Sequence, residues 1–216
     1  GVIPTIAPYI LPALLKLLED EYPDLEPRIV ENQTEELMQR LRDGHIDVAL
    51  LATPTGATGI SEIPLYDEAF AVVTAPDHPV AGRGDLDLNA LKGLDLLLLD
   101  DGHCLRDQIV ELCKIAEVNR SPGAQSVTRA ASLTTVVQLV VAGLGSTLVP
   151  VSALSTECVR PGIAVSTFGA GVDAKRTVGL AMRASSRRRP EFEQLGELVS
   201  RAFEQATESS RKLLPR

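Results

Sequence analysis

The sequence predicts an α/β protein of two small lobes, on three observations. Short continuous aliphatic runs such as "IDVALLA" (46–52) and "LDLLLLDD" (94–101) have the character of strands covered on both faces. Between them lie segments whose apolar residues recur at helical spacing. The 216 residues, 44% hydrophobic but only 3% aromatic, suffice for one large domain or two small ones around a core of Leu, Val, Ile and Ala.

Taken in order, "TIAPYILPALLKLLEDEYP" places Ile10, Leu11, Leu14, Leu17 and Leu18 on one helical face. "PDLEPRIVENQ" alternates Leu25, Pro27 and Ile29 with charged neighbours, the pattern of a half-buried strand. "TEELMQRLRDG" reads as a helix with Thr34 as N-cap and Gly44 as stop. With "IDVALLA" it forms a strand–helix–strand unit, for which a parallel sheet is expected. A strand follows near Ala69–Ala75, then the buried run at 94–101 and a helix over "GHCLRDQIVELCKIAEV". Ser132 caps a helix that stops at Gly143, and "STLVP" is the next strand. "KRTVGLAMR" is a late strand, and "RPEFEQLGELVSRAFEQATESSRKLL" a long amphipathic helix. The Pro/Gly clusters at 53–60 and 76–84 are loops.

A net charge of −8 makes the isolated chain a poor binder of phosphate backbones. No apolar run reaches the roughly 18–20 residues of a membrane span. The chain opens at Gly1 in an already patterned segment, as a fragment of a longer protein does. Three cysteines, Cys104, Cys113 and Cys158, are too few and too unevenly spaced for a secreted disulfide scaffold. A cytoplasmic protein is expected, in which any disulfide is transient.

Two of those cysteines bound the segment of greatest chemical interest. If a helix starts just after Gly102, Cys104 lies in its first turn, where unpaired N–H groups and the macrodipole favour an anion. His103 and Arg106 add positive or donor character, and such surroundings lower a thiol pKa. Cys113, deeper in the helix, has no such help. Nine residues of helix separate the two Cα atoms by about 13 Å and put them on opposite faces. A disulfide spans only about 4.4–6.8 Å between Cα atoms, so the bond requires the segment to unwind. Two packed thiols are the more frequent meaning of such spacing. Eight intervening residues and three histidines in all give no standard zinc pattern, and no metal is expected. Thr34 and Thr5 each have a plain alternative as helix caps, Arg176 as a strand-edge cation, and Arg106–Asp107 as a surface pair.

"GHCLRDQ" with its distal cysteine resembles the regulatory domain of the OxyR family of LysR-type transcriptional regulators. "GVIPTIAPYILP", "ENQTEELMQRLRDGHIDVALLA", "IPLYDEAFAVVTAPDHP" and "AGLGSTLVP" are similar to that family's successive landmarks, over essentially the whole chain. The resemblance implies two Rossmann-like lobes joined by two crossover strands, as in type-2 periplasmic binding proteins. The first crossover falls near Ala69–Ala75 and the return near Arg176–Met182. Residues 1–71 would begin lobe I, 72–175 form lobe II with the cysteines, and 176–216 return to lobe I. The family's DNA-binding winged helix-turn-helix is not in this chain.

The resemblance also implies roles. Cys104 would be the peroxidatic cysteine and Cys113 the resolving one, with His103 polarising peroxide and Arg176 stabilising the thiolate. Thr5, Thr34, Gly102, His103, Leu105, Gln108 and Arg176 would line the peroxide site in the cleft, with Arg106 and Asp107 in support. Cys158 matches no family role. The implied function is hydrogen-peroxide sensing in the oxidative stress response, by a reversible disulfide rather than by enzymatic turnover, with no cofactor. Implied partners are a second copy in a homodimer, a homotetramer of the full-length regulator, promoter DNA, and a thiol reductant such as glutaredoxin or thioredoxin; no membrane is implied. Two other readings stand beside it: a small-molecule effector domain with packed cysteines, and a cytosolic thiol peroxidase.

Overall fold

The structure, a computed structural model, describes residues 1–118 and 129–215. Positions 119–128 of the expected second lobe, and residue 216, lie outside the described residues. The helices are α1 (Ala7–Glu21), α2 (Thr34–Arg42), α3 (Cys104–Ile115), α4 (Leu133–Val141), α5 (Leu154–Glu157) and α6 (Arg189–Arg211). The strands are β1 (Val48–Thr53), β2 (Ile60–Thr74), β3 (Leu98–Leu99), β4 (Arg129–Ala130), β5 (Thr147–Pro150), β6 (Ala164–Thr167) and β7 (Lys175–Arg183). The chain folds as two α/β units: Gly1–Glu68 with Arg176–Glu208, and Ala69–Lys175 with Ser209–Arg216. It leaves the first unit within β2, returns at the start of β7, and passes to the second unit again near the end of α6.

In the first unit α1 buries Tyr9, Ile10, Leu14, Leu17 and Leu18, the face its spacing predicts. In α2, Glu35 and Glu36 occupy the first turn and Arg40 and Arg42 the last, each matched to the helix dipole. Leu37 and Leu41 drive it into the core. Arg183 Nη1 closes its far end by donating to the carbonyls of Leu41 (2.6 Å) and Ile46 (2.8 Å).

Three expectations are corrected in this unit. The strand expected around Leu25–Ile29 is not formed: Leu25 and Ile29 are exposed, and two prolines deprive the stretch of donors. Only its end pairs, through Val2 N to Val30 O and Asn32 N to Val2 O. Secondly, the main ladder here is antiparallel, β1 with β7 from Val48↔Met182 to Thr53↔Thr177. The parallel relation survives as bridges from Val2 to Glu31 and Leu50, with Gly1–Ile3 as a minimal strand too short to show a period. Thirdly, Thr34 is the first residue of α2 and not its cap; Gln33 holds that position, and its side chain makes no capping bond to the helix.

In the second unit the buried half of β2 pairs antiparallel with β5 and β6. The strand expected over 94–101 contracts to β3, parallel to β4, plus a parallel bridge between Leu96 and Ser146. Ser132 caps α4 as expected, its Oγ accepting from Thr135 N at 3.2 Å.

Candidate functional site

The cysteine helix is built from the strand end upward. After β3 the chain turns through Gly102, whose φ of +93° favours a residue without Cβ. Extended His103 then serves as N-cap, and Cys104 is the first helical residue. The turn thus places Cys104 in the first turn of the helix. Leu105, Ile109, Leu112 and Cys113 form the buried face of α3, while Cys104 stays half-buried. Both cysteines are thiols within one unbroken helix. Nine residues on, Cys113 stands about 13 Å along the axis and half a turn round.

The charges around Cys104 differ from the expectation. His103 is buried, and burial pushes its pKa down, against a smaller upward pull from Asp100. The imidazole is therefore neutral near pH 7, a donor or acceptor rather than a cation. Arg106 is engaged by Asp101 at 2.8 Å and Asp107 at 3.2 Å, and Asp101 also takes Arg129 at 2.7 Å. The positive character expected of both residues at the helix start is thus largely offset. One turn after Cys104, Gln108 Oε1 is buried with no hydrogen-bond partner among the described residues, an acceptor suited to a small polar guest.

Within the first unit, Thr5, Arg176 and Glu68 form a buried cluster. Arg176 Nε and Nη2 reach Glu68 Oε2 at 2.9 and 2.7 Å, with both side chains essentially inaccessible. Nη1 donates to Thr5 Oγ1 at 2.9 Å and Nη2 to the Thr5 carbonyl at 3.0 Å. Arg176 is therefore not a strand-edge cation, although it sits at the start of β7. Glu68 escaped the sequence reading because in "LYDEAF" it resembles an outward polar step; its partner lies 108 residues away. The available signal was its place directly before the apolar run "AFAVVT". Tyr66, stacked on Phe203, has a buried hydroxyl whose pKa is raised by burial first and then by the Glu68 charge.

The structure thus brings Thr5 and Arg176 together in one unit, with Thr34 half-buried at the start of α2. In the other it strings Gly102, His103, Cys104, Leu105, Arg106, Asp107 and Gln108 along the opening of α3. Cys158 is buried, its thiol pushed up to about 12 by burial and by Glu157. Among the described residues no group of three or more His, Cys, Asp or Glu is placed to hold a metal. Nor is any helix among them long and apolar enough to cross a membrane.

The LysR substrate binding domain model matches residues 1–204, and the chain belongs to that family. Within it, the chain is similar to OxyR regulatory domains. A Streptomyces viridosporus protein named "Probable hydrogen peroxide-inducible genes activator" is 44% identical over 94% of this chain and 64% of its own length. A Corynebacterium glutamicum OxyR cysteine-to-serine mutant, solved with hydrogen peroxide bound, is 59% identical with a TM-score of 0.95, over 98% of this chain and 66% of that one. The reduced OxyR regulatory domain of Pseudomonas aeruginosa is 35% identical with a TM-score of 0.80, over 94% and 93% of the two chains. The chain therefore spans about two-thirds of the length of the curated relatives it matches. The type-2 periplasmic-binding-protein fold expected from the sequence holds.

Proposed function

We propose that this chain is the hydrogen-peroxide sensor domain of a LysR-type transcriptional regulator. The observation that carries the reading is a half-buried thiol at the first residue of a helix whose opposite face buries a second thiol. The Cys104 sulfur attacks one peroxide oxygen; an S–O bond forms, the O–O bond breaks, and the departing hydroxide takes up the thiol proton as water. Cys113 then attacks the sulfenic sulfur, forming the disulfide as a second water leaves with the Cys113 proton. Two thiols and one peroxide become a disulfide and two waters. A thiol reductant of the glutaredoxin or thioredoxin class reverses the change.

Thr5, Thr34, Gly102, His103, Leu105, Gln108 and Arg176 are the residues proposed to hold peroxide, as the family resemblance implies. Neutral His103 and the orphaned Gln108 oxygen supply the kind of groups that accept from and donate to an uncharged guest. Arg106 and Asp107 support the start of the helix. The disulfide requires α3 to unwind, and that rearrangement is the output: it changes how copies pack in a dimer and tetramer, and so how the regulator engages promoter DNA. The names of the relatives and the peroxide-bound neighbour support this reading.

The test is a sulfenic-acid trap. In Cys113→Ser, stoichiometric peroxide followed by dimedone should modify Cys104 alone. A Cys104 that stays unmodified at excess peroxide leaves an effector domain with packed thiols as the better account.

A further inference from the structure

We propose that Glu68 is a positioning residue for peroxide chemistry, holding Arg176 so that Arg176 holds the Thr5 hydroxyl in a fixed donating orientation. The proposal deepens the function above and rests on it. Its basis is the chain of contacts Glu68–Arg176–Thr5, all buried and all in one unit.

The guanidinium is planar, and its five N–H groups have fixed directions. Glu68 Oε2 takes one edge through Nε and Nη2, which fixes the plane of the group. That plane aims Nη1 at Thr5 Oγ1 and Nη2 at the Thr5 carbonyl, so Thr5 is gripped by backbone and side chain together. A threonine oxygen that accepts from Arg176 has its own hydrogen left to donate elsewhere, and accepting from a cation polarises that O–H further. Peroxide bound there would receive a hydrogen bond from a donor whose orientation Arg176 already restricts.

Charge gives the same arrangement a second consequence. A carboxylate at 2.7 Å largely cancels the field of the guanidinium at longer range. Arg176 then acts through its contact with Thr5 and only weakly as a distant positive charge. Both side chains are inaccessible, so water does not substitute for either partner.

The experiment uses the whole reduced chain and two reagents at Cys104, hydrogen peroxide and iodoacetamide, each followed by quenched peptide mapping. Glu68→Gln should slow the peroxide reaction about tenfold or more, the scale of a charged hydrogen bond lost in a transition state. It should leave alkylation within about twofold, whereas general loosening would move both rates. In a Thr5→Val background, Glu68→Gln should have no further effect. An unchanged peroxide rate in Glu68→Gln, a parallel fall in both rates, or additive losses with Thr5→Val would each overturn the proposal.

Should Glu68→Gln fail to fold, the apolar pair Glu68→Leu with Arg176→Met removes both charges at once. There Thr5→Val should cost nothing more, and a loss as large as in the wild type would contradict the inference. A wild type inert to peroxide would sink the sensor reading itself. A reactive wild type with an indifferent Glu68→Gln sinks this inference alone.

Discussion

Cys113 lies nine residues beyond Cys104 on the opposite face of a single unbroken helix. The two sulfurs cannot bond while that helix exists, because a disulfide tolerates about 4.4–6.8 Å between Cα atoms and the helix imposes about 13 Å. A disulfide between Cys104 and Cys113 would therefore require the helix to unwind.

Hydrogen exchange should report that unwinding directly. In the reduced chain the amides of the later turns of α3, bonded within the helix, should be protected. Oxidation by peroxide should bring them close to the exchange rate of open chain, while α4 and α6 stay protected. Protection of α3 that survives oxidation would contradict the geometry.

The buried ion pair predicts an asymmetry in stability. Arg176→Met alone leaves Glu68 charged and buried, at a cost of about 3–5 kcal/mol. Adding Glu68→Leu should recover most of that loss. Urea unfolding of the single and double variants measures both.

His103 gives a pH dependence of definite sign. Its pKa is lowered in the folded state by burial, so between that value and the ordinary 6.5 the unfolded chain binds more protons. The contribution is fully present above 6.5 and is lost as pH falls through the window. His103→Gln should flatten the loss of stability as pH falls below the ordinary 6.5 in thermal melts; an unchanged profile would refute the assignment.

Cys158 should be chemically silent. Its thiol pKa near 12 and its burial leave almost no thiolate at neutral pH. Iodoacetamide should label Cys104 in the folded chain and Cys158 only in denaturant, and Cys158→Ala should respond to peroxide as the wild type does.

Gly145 tests the backbone of the second unit. Its φ is +154°, and a Cβ there would stand 2.4 Å from the Asp95 carbonyl oxygen. That oxygen accepts from Ser146 N, one of the bonds joining the segment to β5. Gly145→Ala should cost about 1–3 kcal/mol, read as a lowered melting temperature.

What the sequence made legible is what local physics decides. The 3.6-residue spacing marked α1, α4 and α6, and Ser132 marked the start of α4 by its own side chain. The start of α3 at Cys104 followed from a glycine that ends one element and a polar turn that begins the next. Strand pairing was less legible, because direction and register depend on partners far along the chain; β1 meets β7 across more than a hundred residues. The alternation at Leu25 and Ile29 imitated a strand, yet the same stretch carries the prolines that prevent one.

Charge was the hardest part to read. His103 looks like a cation in the sequence, but its burial, which follows from the fold, keeps it neutral. The charge of Arg106 is balanced by Asp101 and Asp107, whose ion-pair geometry only the fold sets. Glu68 is the extreme case: an ordinary acidic residue until β7 returns to bring Arg176 against it.

The central claim, that peroxide converts Cys104 and Cys113 into a disulfide, is tested most directly by peptide mapping after near-stoichiometric hydrogen peroxide and quenching by alkylation, with Cys104→Ser alongside. A Cys104–Cys113 linked peptide should form within seconds and be absent from the variant. Both cysteines recovered fully alkylated at excess peroxide would contradict it.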